Sequence, residues 1–239
     1  MKALAALPLL VALAAAPAWA AGYGMEQKTA AYELSLTIPA RPAAIPALKA
    51  EILRRFQAAA KSIEADAVQD RRDDPQGFRP YRFQSEWRVT FDGPRVISLS
   101  GLSVIDDGGA HPSNQYDTIV WDRAAARPVA LPDLFARADL PAALKAIAGH
   151  AKAALRKAFP HQEGQPAGYD PVEDNIAADP AKLGHYALTY ARGETRANGI
   201  VLLWGAGAPW PNVMGDIKLS IPAALFRKYL APQWKAEFC

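Results

Sequence analysis

The chain has 239 residues, 51% of them hydrophobic, a formal net charge of +3 and a single cysteine. This charge balance excludes nucleic acid or an anionic surface as a partner held by bulk charge, and one cysteine excludes an internal disulfide framework. No later run reaches the roughly 18 apolar residues of a membrane helix, so no membrane insertion of the mature chain is expected.

In chain order, Lys2 supplies a short positive start and residues 4–16 an apolar stretch too short to span a bilayer. Ala18-Trp19-Ala20 places small residues where a signal peptidase reads them. The expectation is a signal peptide over residues 1–20, cleavage near Ala20 with a slip to Ala21 allowed, and a periplasmic location. Removing 20 of 239 residues leaves about 219, enough for one domain or two tightly joined halves with a substantial core. Cys239 is the last residue; it cannot be a lipid anchor next to the leader, and it has no partner within the chain.

Tyr32, Leu34, Leu36 and Ile38 alternate with polar residues and predict a half-buried strand. Ile45, Leu48, Ile52, Phe56, Ala59, Ile63 and Ala67 then recur at helical spacing, with Pro46 in the first turn. Residues from 70 on read as a polar loop. Trp87, Val89 and Phe91 alternate in a strand that Asp92-Gly93-Pro94 ends. Residues 95–105 form its hairpin partner, in which Gly101 signals a bulge or a close backbone approach. Asp117, Ile119 and Trp121 mark a third strand, and residues 131–135 a single helical turn.

Asp139 can cap the next helix, which carries Leu140, Leu144, Ile147, Ala151, Leu155 and Phe159 on one face and stops at Pro160. Residues 161–183 have no period beyond a short helix near 172–177. Strands are expected near 186–191, 199–204 and 216–221, and a short helix near 223–229. These elements predict an α+β fold: an antiparallel sheet with two main amphipathic helices on one face, in halves spanning 21–110 and 111–239.

Chemical motifs are sparse. His111, His150, His161 and His185 are too far apart for a zinc helix, and no Gly-x-Ser-x-Gly elbow is present. No metal or cofactor is therefore expected. Asp106, Asp107, Asp117 and Asp122 offer acids whose pairing only a fold can settle. The arginines at 54, 55, 71 and 72 read as a solvated helix face followed by a loop. Trp204 ends an apolar strand and reads as core edge, whereas Trp210 sits in a Gly- and Pro-rich loop suited to stacking on sugars or anchoring a partner. The segment DDGGAHPSNQYD, residues 106–117, joins two strands. Its glycines permit a sharp turn, and His111 before Pro112 can pin the loop by hydrogen bonds or act in a site.

The segment SLSGLSVIDDGGAHPSNQYDTIVWDRAAARPVALPDLF resembles a bacterial exported domain family of unknown function. The likeness rests on Gly-Gly-Ala-His at 108–111, Tyr116-Asp117 and the stretch 127–135. The end GIVLLWGAGAPWPNVMGDIKLSIPAALF resembles the family's closing strand pair, and the region before the motif its N-terminal partner domain. Such domains occur in a membrane-bound anti-sigma factor that binds lysozyme and beside peptidoglycan deacetylase domains. This chain lacks a membrane helix, a sigma-binding segment and room for a deacetylase. The resemblance therefore implies a non-catalytic binding module at the cell envelope, its ligand peptidoglycan or a wall-active protein such as lysozyme. The alternative is a wall-directed hydrolase using acids and His111. The candidate ligand-binding residues are Asp107, Gly108, Gly109, His111, Asp117 and Trp210.

Overall fold

A computed structural model describes residues 22–159, 170–183, 185–191, 193–206 and 215–239. The expected signal peptide, His161 and Trp210 lie outside these residues. Six strands form the first sheet, side by side in chain order: β1 (Tyr23–Lys28), β2 (Tyr32–Ile38), β3 (Tyr81–Asp92), β4 (Val96–Asp106), β5 (Ser113–Asp122) and the two-residue β6 (Arg127–Pro128). Neighbours are antiparallel except β2 and β3, which run parallel. The exception has a topological cause: the turn α1 (Ala40–Ala43) and the helix α2 (Pro46–Asp73) join β2 to β3 as a crossover, the connection a parallel pair requires.

A second, antiparallel sheet holds β7 (His185–Thr189), β8 (Gly199–Trp204) and β9 (Ile217–Pro222). Helices α3 (Leu140–Ala158), α4 (Pro171–Asn175) and α5 (Ala223–Phe226) complete the second half. The α+β class and the mostly antiparallel pairing agree with the sequence pattern. The strands divide between two sheets, however, and each long helix serves its own: α2 covers the first and α3 packs on β9. Periodicity reports which face of a helix is apolar but not which sheet it meets.

Two apolar clusters follow. In one, Leu48, Ile52, Phe56 and Ala60 of α2 pack on Leu34, Leu36, Phe83, Trp87, Leu99, Ile119 and Trp121. In the other, Ala143, Ile147, Ala151 and Leu155 of α3 cluster with β7–β9, and β7 in turn packs on the opposite face of the first sheet, which contributes Phe91, Val96 and Val120. An irregularity in register between Val89 and Phe91 lets residues of one parity serve both cores. Val89 packs with the first cluster and Phe91 belongs to the second.

The halves share this sheet and further bonds. The buried Ser98 Oγ accepts from the Leu188 amide at 2.9 Å. Arg95 donates to the Gln233 carbonyl at 2.7 Å, and its guanidinium lies 4.2 Å over the Trp234 ring.

Three local expectations are corrected. Helix α2 runs to Asp73 rather than stopping at 70, because Gln69 bonds Asp73 one turn on and Arg71 and Arg72 face the negative end of the helix dipole. Asp139 sits at the cap position of α3 but makes no side-chain cap bond; its carbonyl takes the Ala143 amide instead. Strand β5 begins at Ser113, inside the stretch read as loop.

Candidate functional site

The Gly-Gly-Ala-His loop crosses from β4 to β5 at an exposed tip. Asp106 and Asp107 each accept a bond from an amide two residues on, Gly108 at 3.2 Å and Gly109 at 3.1 Å. The backbone thus folds over its own acids. Gly108, not Gly109, has the left-handed conformation, with φ of +79°. The exposed His111 side chain makes no hydrogen bond among the described residues, so the acids, not the imidazole, hold this turn. Asp107 and Gly108 border a shallow depression with Asp70, Asp74 and Tyr81, away from Asp117.

The larger concavity is a cleft of about 800 Å³ at the outer edge of β5. It is assembled from three elements. Helix α2 supplies Arg55, Phe56 and Ala59. The sheet face beneath supplies Phe83, Ser85, Trp87, Ser103, Gln115 and Asp117. The second half supplies Asn175, Lys182, His185, Leu203 and Trp204.

Strand register explains the floor. Ser85, Ser103 and Gln115 lie side by side on β3, β4 and β5, and Trp87, Gly101 and Asp117 form the next row. A Cβ on Gly101 would sit 2.7 Å from the Trp87 ring, so only glycine leaves room for the indole across the strands. The Trp87 indole N–H is buried with no hydrogen-bond partner among the described residues.

Charges in the cleft are held by one another. Arg55 donates to Asp117 at 2.6 Å, to Glu51 at 2.8 Å and to the Thr118 carbonyl at 3.1 Å, while Asp117 also accepts the Thr118 amide at 2.7 Å. Glu51 is pulled down to about 2: bonding from Arg54 dominates, Arg55 adds to it, and partial desolvation opposes both. On the other face of β5, Asp216 accepts from Asn114 and Tyr116, each at 3.0 Å. Burial alone would raise the Asp216 carboxyl, but those bonds outweigh it and hold the group below its ordinary value. Desolvation by the cleft walls lowers the His185 imidazole, Arg55 reinforces that, and Asp117 works against both. The cleft therefore presents an ion-paired Arg55 and Asp117, the Lys182 amine and an imidazole held below its ordinary value, on apolar walls.

Of the residues singled out from the sequence, Asp117 lines this cleft. Asp107, Gly108, Gly109 and His111 belong to the exposed turn, and Trp210 lies outside the described residues. Trp204 ends β8 in the core, as expected, and also lines the cleft. Asp122, another candidate acid, is committed to structure: it pairs with Arg95 at 3.1 Å and takes the amides of Ala124 and Ala125. The arginine face proves half solvated, since Arg54 is exposed and Arg55 reaches into the cleft.

Sequence reasoning did not take Arg55, Ser85, Trp87, Ser103 or His185 as site residues: Arg55 read as a solvated helix face, Trp87 as a strand residue and His185 only as one of four scattered histidines. A signal for two of them was present: Ser85 stands between Phe83 and Trp87 at inward parity, and Ser103 faces it from an apolar strand. A hydroxyl at a core position calls for a partner or a cavity.

No family model and no curated protein matches the chain. Solved structures are similar to it, among them two DUF3298 proteins. One is a member of the DUF3298 family from Bacteroides fragilis, at 14% identity and a TM-score of 0.53, covering 90% of this chain and 95% of that one. The other is a DUF3298 family protein from Pseudomonas aeruginosa PAO1, at 16% identity and a TM-score of 0.50, covering 88% and 93% respectively. At these identities the likeness establishes the fold. It agrees with the resemblance to a bacterial domain of unknown function.

Proposed function

We propose that the chain is exported to the periplasm after cleavage near Ala20 and acts there as a non-catalytic binding module, with the cleft beside β5 as the seat and peptidoglycan as the ligand. The observation that carries the binding role is the state of the cleft's ionisable groups. In the cleft Asp117 is locked to Arg55 and to a backbone amide, and behind it, on the other face of β5, Asp216 is braced by Asn114 and Tyr116. A general acid for glycosidic cleavage needs a carboxyl whose value is raised; Asp216 is held below its ordinary value, and the Asp117 carboxylate is engaged by the Arg55 guanidinium and the Thr118 amide. His111, the histidine of the hydrolase alternative, stands on the exposed turn and does not line the cleft.

Aromatic walls with hydroxyl and amide groups between them suit a ligand that is polar along one side and apolar along another. A recess of this size takes a chain segment more readily than the convex face of a folded protein, which favours peptidoglycan over lysozyme. The leader and the family resemblance support the envelope as the site of action. No helix among the described residues is long and apolar enough to cross a membrane.

The test is co-sedimentation of the mature protein with purified sacculi, with released fragments assayed in the same tube. The expected result is protein in the pellet and no soluble product. Gln115→Trp, which fills the floor from an exposed position, should weaken retention about tenfold, the equivalent of roughly 1.4 kcal/mol. Release of muropeptides would establish catalysis instead. Retention on immobilised lysozyme but not on sacculi would replace the ligand.

A further inference from the structure

We infer that the cleft recognises an extended peptide laid as an added strand along the free edge of β5, and that the part of peptidoglycan it reads is the peptide stem rather than the sugar rings. The inference rests on the reading of the cleft as a binding seat and adds what the seat selects.

The first observation is which residues of β5 face the concavity. Side chains of a strand alternate between faces, so a site on one face is lined by every second residue. Here Asn114, Gln115, Tyr116 and Asp117 line the cleft in unbroken succession. Thr118, Ile119 and Val120 continue the succession in an adjoining cavity of about 410 Å³, and Arg55 and His185 border both. Consecutive residues share an edge, not a face. The two cavities therefore form one groove along the rim of the strand.

The second observation is the state of the backbone on that rim. In an antiparallel strand alternate residues turn both N–H and C=O to the same side. Val120 offers its carbonyl away from β4, to the Val129 amide at 2.7 Å, so Val120, Thr118, Tyr116 and Asn114 face outward. From Trp121 on, β6 occupies the edge. At Thr118 both groups are capped by side chains: Asp117 takes the N–H and Arg55 donates to the carbonyl. At Tyr116 neither outward backbone group has a partner among the described residues. A pair without a partner among the described residues, beside a pair that side chains rather than a strand satisfy, is a template for another backbone, and an unpaired sheet edge is where peptides add. A glycan carries its amides as pendant acetamido groups on the rings rather than in a main chain, so it cannot extend the ladder.

The third observation sets the length. β6 closes one end. At the other, Gly205 approaches so closely that a Cβ there would overlap the Asn114 carbonyl. The open edge between Asn114 and Val120 is roughly 20 Å long, enough for about four to six extended residues. A groove closed at both ends accepts a short peptide that terminates and obstructs a loop that enters and leaves. Lys182 adds a cation to the cleft lining, suited to a peptide that carries a carboxylate.

The experiment uses the mature chain and three probes: intact sacculi, peptide stems freed from them by an amidase, and the glycan strands left behind. Free stems should bind and compete with sacculi, and stripped glycan should not. Backbone amide exchange followed by NMR should slow about tenfold at Tyr116 and Thr118 on saturation with stems, while Gln115 and Asp117, already bonded to β4, hold steady. Thr118→Pro removes one outward N–H without touching the β4 ladder, a substitution an edge strand tolerates, and should abolish stem binding. If that variant fails to fold, amide exchange in the native chain still decides. Retention of stripped glycan as strong as that of sacculi, or stem binding that leaves the Tyr116 amide unchanged, overturns the inference while leaving the binding module standing. Absence of binding to all three probes overturns both.

Discussion

The turn at residues 106–111 and the cleft beside β5 make opposite demands on a reader of sequence. The turn is conspicuous: two acids, paired glycines, a histidine and a proline stand together. Folded, it is an exposed connection held by its own aspartates. The cleft is inconspicuous, gathered from α2, three strands and the second half of the chain. Its residues include serines, a glutamine, an arginine and two tryptophans, each ordinary where it stands. Local density of polar and turn-forming residues reports backbone geometry, which is a local property. A recess is made by what is missing between distant elements, and no local pattern records that.

The sharpest way to break the contrast is at Gly101. Valine there would press a branched side chain into the Trp87 indole, 2.7 Å from the position of its Cβ. Overpacking of this kind costs about 1–3 kcal/mol, so thermal unfolding should show a clear drop, and the cleft floor should lose its shape and its ligand. Combining Gly101→Val with Trp87→Leu should recover much of that stability, because the two positions are coupled by contact. Equal losses in the single and double variants would show that Gly101 matters for some reason other than the indole.

That pair also marks how much was legible. Gly101 inside a strand announces a close approach, and it is one, but the approaching group is named only by the register that sets Trp87 opposite. The alternation of β2 to β5 and the apolar face of α2 were readable because each is periodic within one element. The parallel β2–β3 pair, the division into two sheets and the outward edge of β5 were not, since each depends on which element lies beside which. Strand β1 escaped notice because it carries little apolar alternation: its residues are half-buried or exposed, as an edge strand allows. The chain's end shows the same limit. Cys239 is free and exposed, as expected, yet its amide bonds the Ala197 carbonyl at 2.9 Å and the neighbouring Phe238 is fully buried.

A smaller effect is expected from the brace behind the cleft. Tyr116→Phe deletes the hydroxyl that donates to Asp216. A bond to a charged group contributes about 1.5–3 kcal/mol when buried, and partial exposure of the carboxylate reduces that to about 1 kcal/mol. The effect should depend on pH in a fixed direction. The folded-state value of Asp216 lies below the unfolded value of 3.8, so the stabilisation is complete above about pH 5 and fades as acid titrates the carboxyl through its depressed value. Urea unfolding at pH 6.5 and pH 3 should therefore show a larger deficit of the variant against the native chain at the first pH than at the second. A difference that grows toward acid would mean that Asp216 is not the group the tyrosine serves.

The least effect is expected where the sequence draws most attention. His111 has an exposed ring with no hydrogen bond among the described residues, and it is not among the residues of the cleft. His111→Ala should change stability by less than about 0.5 kcal/mol, as surface substitutions do, and should leave sacculus retention unaltered. Gly108→Val in the same turn should cost more, of order 1 kcal/mol, because a branched residue is strained at φ of +79°, yet it too should leave retention per folded molecule intact. The pair separates two reasons for a conspicuous motif. If the turn only reverses the chain, the glycine matters to folding and the histidine matters to neither measurement. If His111→Ala keeps its melting temperature and loses the wall, the turn is itself a contact surface, and the cleft beside β5 is at most part of the site.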